Sequence, residues 1–210
     1  MDIGKMSMYE IDTLKEIGNI GASSAATALA KILGKRVSLS LPNVRILEFK
    51  NVCHMLGGEE VVVVGILQPM RGDMNGHIMF LLRLNAAHDL ADFLLSEMLN
   101  VTGDKSRPPE EFDEMEVSAL REIGNIMISS YLAAISDLTG LRIIPCVPEM
   151  AVDMSGAILS VPAIEFGKIG DYVLYIETVF SQGATKVEGQ FFMIPDINSY
   201  SVLLDALGVS

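Results

Sequence analysis

Four residues have the types and spacing to do chemistry together. Glu16 and Asn19 stand three apart in EIGNIG, and Glu122 and Asn125 repeat the spacing in EIGNIM. A carboxylate offers a full negative charge. A carboxamide donates and accepts hydrogen bonds at once, so it can orient a water molecule. Residues three apart share a face only on a helix, so the elements that carry them come next.

At about 100° per residue, with Asp12 at zero, Glu16 falls near 40°, Asn19 near −20° and Ser23 near 20°. Leu14, Ile17, Gly21, Ala25, Ala28 and Ile32 fall between about 140° and 220°, on the opposite side. In the second copy Ser118, Glu122, Asn125 and Ser129 share one face, and Leu120, Ile123, Met127, Tyr131, Ala134 and Leu138 share the other. Each helix is therefore expected to bury its apolar stripe and to point Glu and Asn at solvent. Asn is a weak helix former, and Gly18 and Gly124 beside it each cost up to about 1 kcal/mol relative to Ala. Gly21 fits close packing on the core face. An exposed Asn flanked by a costly glycine, twice, points to use, although an ordinary solvated pair kept through a duplication would look the same.

The repeat extends beyond the motif. DTLKEIGNIGASSAATALAKILGKRVSLSLPNV aligns with SALREIGNIMISSYLAAISDLTGLRIIPCVPEM at an offset of 106 residues. Each copy runs through a helical period to a glycine suited to a helix C-cap (Gly34, Gly140), then a short alternating strand that ends at a proline (Pro42, Pro148). Farther on, both copies read strand, turn, strand, amphipathic helix. The expected fold class is α+β: a duplicated, pseudo-twofold domain, its antiparallel sheet continuous across the halves, with long helices packed on one side. The expected half-repeats are residues 1–100 and 112–210, joined by a polar, proline-bearing linker at 101–111 within one globular unit.

Composition narrows the function. Half of the 210 residues are hydrophobic. The longest apolar runs, such as Val61 to Leu67, are strand-length and fall short of the roughly 20 residues of a membrane span. The opening residues lack the pattern of a signal peptide, so no membrane insertion and a cytoplasmic location are expected. A net charge of −12 disfavours nucleic acid and anionic lipid and suits a partner that presents cations. Cys53 and Cys146 lack CxxC spacing and are expected to be reduced thiols. His54, His77 and His88 lack HxxxH or HExxH pairing, so no metal site is expected. GxSxG, GxxxxGK[ST] and GxGxxG are absent. GNIGASS has the look of a phosphate loop but lies mid-helix, where backbone N–H groups are already bonded.

Both motif stretches resemble the CheC / CheX / FliY family of chemotaxis phosphatases. The family pattern is Asp or Ser, three residues, Glu, two residues, Asn, twenty-two residues, Pro. Asp12, Glu16, Asn19 and Pro42 match it, and Ser118, Glu122, Asn125 and Pro148 match it again. The resemblance covers nearly the whole chain. Its length, its two motifs and the segment VPEMAVDMSGAI are most like the CheC branch.

The resemblance implies a substrate, the phosphorylated aspartate of the response regulator CheY, whose receiver domain brings its own Mg²⁺ and lysine. No cofactor of the chain's own is implied. Asn19 and Asn125 would orient the attacking water, and Glu16 and Glu122 would pair with the receiver's lysine. Asp12 and Ser118 either support docking or reflect the preference for such residues near a helix start. Pro42 and Pro148 are expected to be structural, each ending a strand. The resemblance also implies a second partner, the receptor glutamine deamidase CheD. Asp153 is a candidate contact for it, or else a turn aspartate beside Gly156. A non-catalytic regulator of CheD and a flagellar-switch scaffold remain the alternative functions.

Overall fold

A computed structural model describes residues 7–33, 38–39, 43–99, 107–166, 172–182 and 185–209. Gly34, Pro42, Asn100 and residues 101–106 of the expected linker lie outside the described residues. The first half contains α1 (Met8–Leu33), β1 (Ser38–Leu39), β2 (Asn43–Glu48), α2 (Val52–Leu56), β3 (Val62–Gly72), β4 (Gly76–Arg83) and α3 (Leu84–Leu99). The second contains α4 (Glu114–Thr139), β5 (Ile143–Pro145), β6 (Glu149–Met154), α5 (Ser155–Phe166), β7 (Tyr172–Gln182), β8 (Thr185–Pro195) and α6 (Ile197–Ala206).

The eight strands form one antiparallel sheet in the order β1-β7-β8-β4-β3-β5, with β2 also along β7 and β6 also along β3. The halves are interleaved. β4 pairs with β8 at the centre, β1 and β2 of the first half pair with β7 of the second, and β5 and β6 return the exchange on β3. Each half thus completes its motif strand on the other half's hairpin.

The long helices α1, α3 and α4, with α6, cover one face, burying Leu14, Ile17, Leu94, Leu120, Ile123, Tyr131 and Leu203 against Val64, Ile66, Phe80 and Phe191 of the sheet. The other face is not bare, as helices on one side alone would leave it. Helices α2 and α5 pack Val52, Leu56, Ile158 and Leu159 on Val63, Met79, Tyr175 and Phe192. Neither has a polar stripe long enough to show a helical period, and α5 contains Pro162. Cys53 and His54 sit on α2. Both cysteines are free.

Helix α4 is fastened at both ends. Asp113 caps its start: the Asp113 carboxylate accepts from Glu116 N at 2.8 Å, and the Glu116 carboxylate accepts from Asp113 N at 2.8 Å. Two satisfied backbone donors make this a capping box. Arg107, from the end of the expected linker, clamps it by donating to Glu116 and to Asp113, each at 3.0 Å. His88 of α3 stacks on Phe112 at 4.2 Å. At the other end Gly140 takes the left-handed conformation (φ 71°) that stops a helix, as its place in the sequence predicts.

The two 26-residue helices α1 and α4 lie against each other. Tyr131 of α4 lays its ring where a side chain on Gly21 would stand, so only glycine fits there. Gly124 presses α4 onto β3 in the same way: a Cβ there would come within 2.6 Å of Ile66 Cδ1. The glycine beside Asn125 is thus explained by sheet packing. Two residues of the expected apolar stripes are exposed instead, Ile32 (37%) and Leu138 (48%), both in the last two turns of their helices.

Two outcomes test this packing. The buried Tyr131 hydroxyl has no hydrogen-bond partner among the described residues. Burial raises its pKa, as it does that of Tyr200, and Tyr175 is pushed up to about 12 by burial first and the Glu177 charge second. A phenol whose folded pKa is raised stays neutral in the fold. Its contribution is complete below the unfolded value of about 10 and is lost as pH rises through the folded value. Tyr131→Phe should therefore gain about 1 kcal/mol near neutral pH and lose less above pH ~10. Urea unfolding at neutral and alkaline pH measures both, and a destabilised variant would show that the hydroxyl is bonded. Arg107→Ala should cost about 3 kcal/mol, because the nearly buried Glu116 carboxylate loses its guanidinium partner. A change under about 0.5 kcal/mol would mean that the clamp is ornamental.

Candidate functional site

Each motif helix carries its polar residues in one row, exposed at the Glu and half-buried at the Asn. On α1, Asp12 and Glu16 are exposed and Asn19 is half-buried. Lys15 Nζ lies 3.4 Å from Asp12 Oδ1, an exposed pair. Ser23 Oγ donates to the Asn19 backbone carbonyl at 2.8 Å. The row begins one turn after a second capping box. Ser7 N donates to Glu10 at 2.6 Å, Glu10 N donates to Ser7 Oγ at 3.2 Å, and the first of these bonds holds the Glu10 carboxyl below its usual range.

On α4, Ser118 and Glu122 are exposed and Asn125 is half-buried. Asn125 does not stand free in solvent as helix periodicity predicts. Because Gly124 brings α4 down onto β3, the neighbouring carboxamide reaches the sheet, where Gln68 Nε2 donates to Asn125 Oδ1 at 3.0 Å. Ser129 Oγ lies at 3.5 Å from the same oxygen, at the limit for a hydrogen bond. Gln68, 1% exposed, occupies the row of β3 that otherwise holds Val64, Ile66 and Met70. Its Nε2 also donates to the Cys146 backbone carbonyl at 2.7 Å.

Pro148 does not end a strand. β5 closes at Pro145, and the pairing slips before β6 resumes. Met70 faces Pro145 and Cys146 N donates to Pro69 O, but Leu67 faces Glu149 where unbroken register would put Pro148. One extra residue between Cys146 and Pro148 makes a β-bulge, a place where proline does no harm to a ladder.

Ser118 and Glu122 also rim a groove of about 380 Å³ between α3 and α4, floored by Leu94, Leu95, Ala119, Ile123 and Ile126. The exposed Ile32 and Met115 border it. Asp153 lies in β6, opposite Val63, not in a turn, and its carboxylate accepts from Met154 N at 2.7 Å. It shares a shallow hollow with Gly65, Leu67 and Ile158, so it faces the α2–α5 side, away from the Glu and Asn rows. Among the described residues, no three His, Cys, Asp or Glu side chains gather as metal ligands, and no helix is long and apolar enough to cross a membrane.

Sequence reasoning missed Gln68, which is 57 positions from Asn125 and reaches it only through the sheet. It also passed over Asp113 and Glu116, although Asp-x-x-Glu ahead of an apolar run is a local signature of a capping box.

Comparison with known proteins bears on the same segments. The model of the CheC-like family matches residues 10–46 and 115–150, which hold the two motif helices and the strands that follow them. The CheY-P phosphatase CheC of Bacillus subtilis is 34% identical over 205 residues, covering 96% of this chain and 95% of that protein. The fold recurs in FliY of Thermotoga maritima, with a TM-score of 0.72, 22% identity, and coverage of 98% of this chain and 100% of that one. It recurs more distantly in the CheX–CheY–BeF3–Mg²⁺ complex of Borrelia burgdorferi, with a TM-score of 0.51, 14% identity, and coverage of 84% and 95%. Two matched motif segments inside a chain-long likeness place this protein in the CheC-like family.

Proposed function

We propose that this chain is a chemotaxis phosphatase that hydrolyses the aspartyl phosphate of the response regulator CheY in the cytoplasm. The observation that carries the reading is its likeness, along 96% of its length, to a protein named a CheY-P phosphatase. The exposed Glu and half-buried Asn on one helix face, at both motifs, suit the task. Each half-repeat, residues 1–100 and 112–210, supplies one set.

An acyl phosphate is already reactive, so a helper needs no nucleophile of its own. Its work is to place a water in line with the phosphorus. Asn19 or Asn125 enters the receiver's site and holds that water. The water oxygen bonds to phosphorus as the bond to the aspartyl oxygen breaks. The aspartate leaves as carboxylate, and the water's proton passes to the departing phosphate. Mg²⁺ bound by the receiver neutralises charge on the phosphoryl oxygens. Glu16 or Glu122, exposed one turn earlier, pairs with the receiver's lysine and sets the register, with Asp12 or Ser118 at the rim of the contact. A hundredfold acceleration requires only about 2.7 kcal/mol, within reach of one positioned water.

A second reading is regulation of the deamidase CheD. The placement of Asp153 favours it as an added role, not a rival one, because a partner seated there would leave both Asn rows open.

Asn19→Ala with Asn125→Ala should abolish stimulated phosphate release from phosphorylated CheY while urea unfolding stays unchanged. Each single variant should keep the rate of the other site. Near-normal release from the double variant would remove the water-positioning role. Glu16→Gln with Glu122→Gln should weaken binding to phosphorylated CheY and flatten its salt dependence. Full affinity with only the maximal rate lost would assign Glu a chemical part instead.

A further inference from the structure

The irregular pairing of β3 carries a consequence for the second site. In an antiparallel ladder, two residues in a hydrogen-bonded pair exchange both backbone bonds. Cys146 N donates to Pro69 O at 2.8 Å. Pro69 has no N–H to return, so the Cys146 carbonyl is left without its backbone donor. Gln68 Nε2 fills that role at 2.7 Å. This contact settles which end of the Gln68 amide is nitrogen, since a carbonyl can only accept. The second N–H on the same nitrogen then points to Asn125, and it can meet only the oxygen of that carboxamide. The Asn125 side chain is thereby fixed, oxygen toward the sheet and Nδ2 outward. The chain of constraint runs from a missing backbone proton to the orientation of an active-site amide. Gln68 is an expensive choice for an apolar row, because its Oε1 is buried with no hydrogen-bond partner among the described residues. Leu or Met would fill the row at lower cost.

The first site differs in residue type at the matching register positions. Asn43 faces Glu177 as Glu149 faces Leu67, so Thr178 and Val179 stand where the second site has Gln68 and Pro69. By sequence, then, the glutamine and the proline of this device stand at the second site, and the matching positions of the first hold neither residue type.

We propose that Gln68 is a positioning residue of the second site, locking the Asn125 carboxamide so that its Nδ2 meets the attacking water. The proposal rests on the water-positioning reading of the Asn residues. A free carboxamide samples both flips and several rotamers, and only some of them hold the water in line. Gln68 removes that search at the second site, so it acts on turnover and not on docking.

The test uses phosphate release from phosphorylated CheY in two backgrounds. In Asn19→Ala, where only the second site reports, Gln68→Met should lower kcat roughly tenfold or more and leave KM within about twofold. In Asn125→Ala, where only the first site reports, the same substitution should change nothing. General damage to the fold would lower both. Gln68→Met with Pro69→Ala separates the two duties of the amide. Alanine returns the backbone N–H to the Cys146 carbonyl, so stability in urea should recover while kcat in the Asn19→Ala background stays low. An unchanged kcat in that background, equal losses in both backgrounds, or a kcat that recovers with Pro69→Ala overturns the proposal. Full activity of the Asn19→Ala, Asn125→Ala parent would instead overturn the reading on which it rests.

Discussion

How closely two long helices can approach one sheet governs the rest of this structure. Packed interiors have no slack for an extra methyl group, so close approach must be written into the residues at the contact. Gly124 lets α4 settle on Ile66, and Gly21 lets α1 slide under the Tyr131 ring. Asn125 can touch the sheet only because its neighbour has no side chain. Had α4 ridden higher on an alanine, the carboxamide would have stood in solvent, out of reach of Gln68. A glycine that costs helix stability locally is therefore what couples the motif face of the helix to the strand beneath it.

The parts legible in the sequence were those with a short-range cause. The two helical stripes gave the buried faces of α1 and α4 almost residue by residue, from Leu14 and Ile17 to Leu120, Ile123, Met127 and Tyr131. Gly140 announced its cap, and the repeat announced the hairpins and their closing helices. The illegible parts were those decided by partners far along the chain. Nothing near β1 or β5 says that each will pair with the other half's strand. Helices α2 and α5 are too short or too evenly apolar to show a period. Ile32 has the spacing of a core residue but borders an open groove, because periodicity gives a direction and not the presence of a neighbour. Pro148 was readable as a strand breaker, yet its bulge depends on Pro69 and Leu67 across the ladder.

The two sites share a motif but not a setting. The first displays Asp12 and Glu16 with Lys15 nearby, on an exposed surface where such a pair adds at most about 1 kcal/mol. The second replaces Asp12 with the uncharged Ser118 and opens beside an apolar groove. Its helix is also clamped at the start by Arg107, Asp113 and Glu116.

The same crossing bears on descent. The counterparts of Gly21 and Ala25 in α1 are Met127 and Tyr131 in α4, so one helix presents two small residues where the other presents two large ones. The sum of volumes suits this pairing alone. Two copies of the first half would face glycine and alanine with their like and leave a void, and two copies of the second would drive methionine and tyrosine into each other. Either pairing would spoil the helical layer. At this contact the two halves are no longer interchangeable, and each motif helix is seated by side chains that its own copy does not carry.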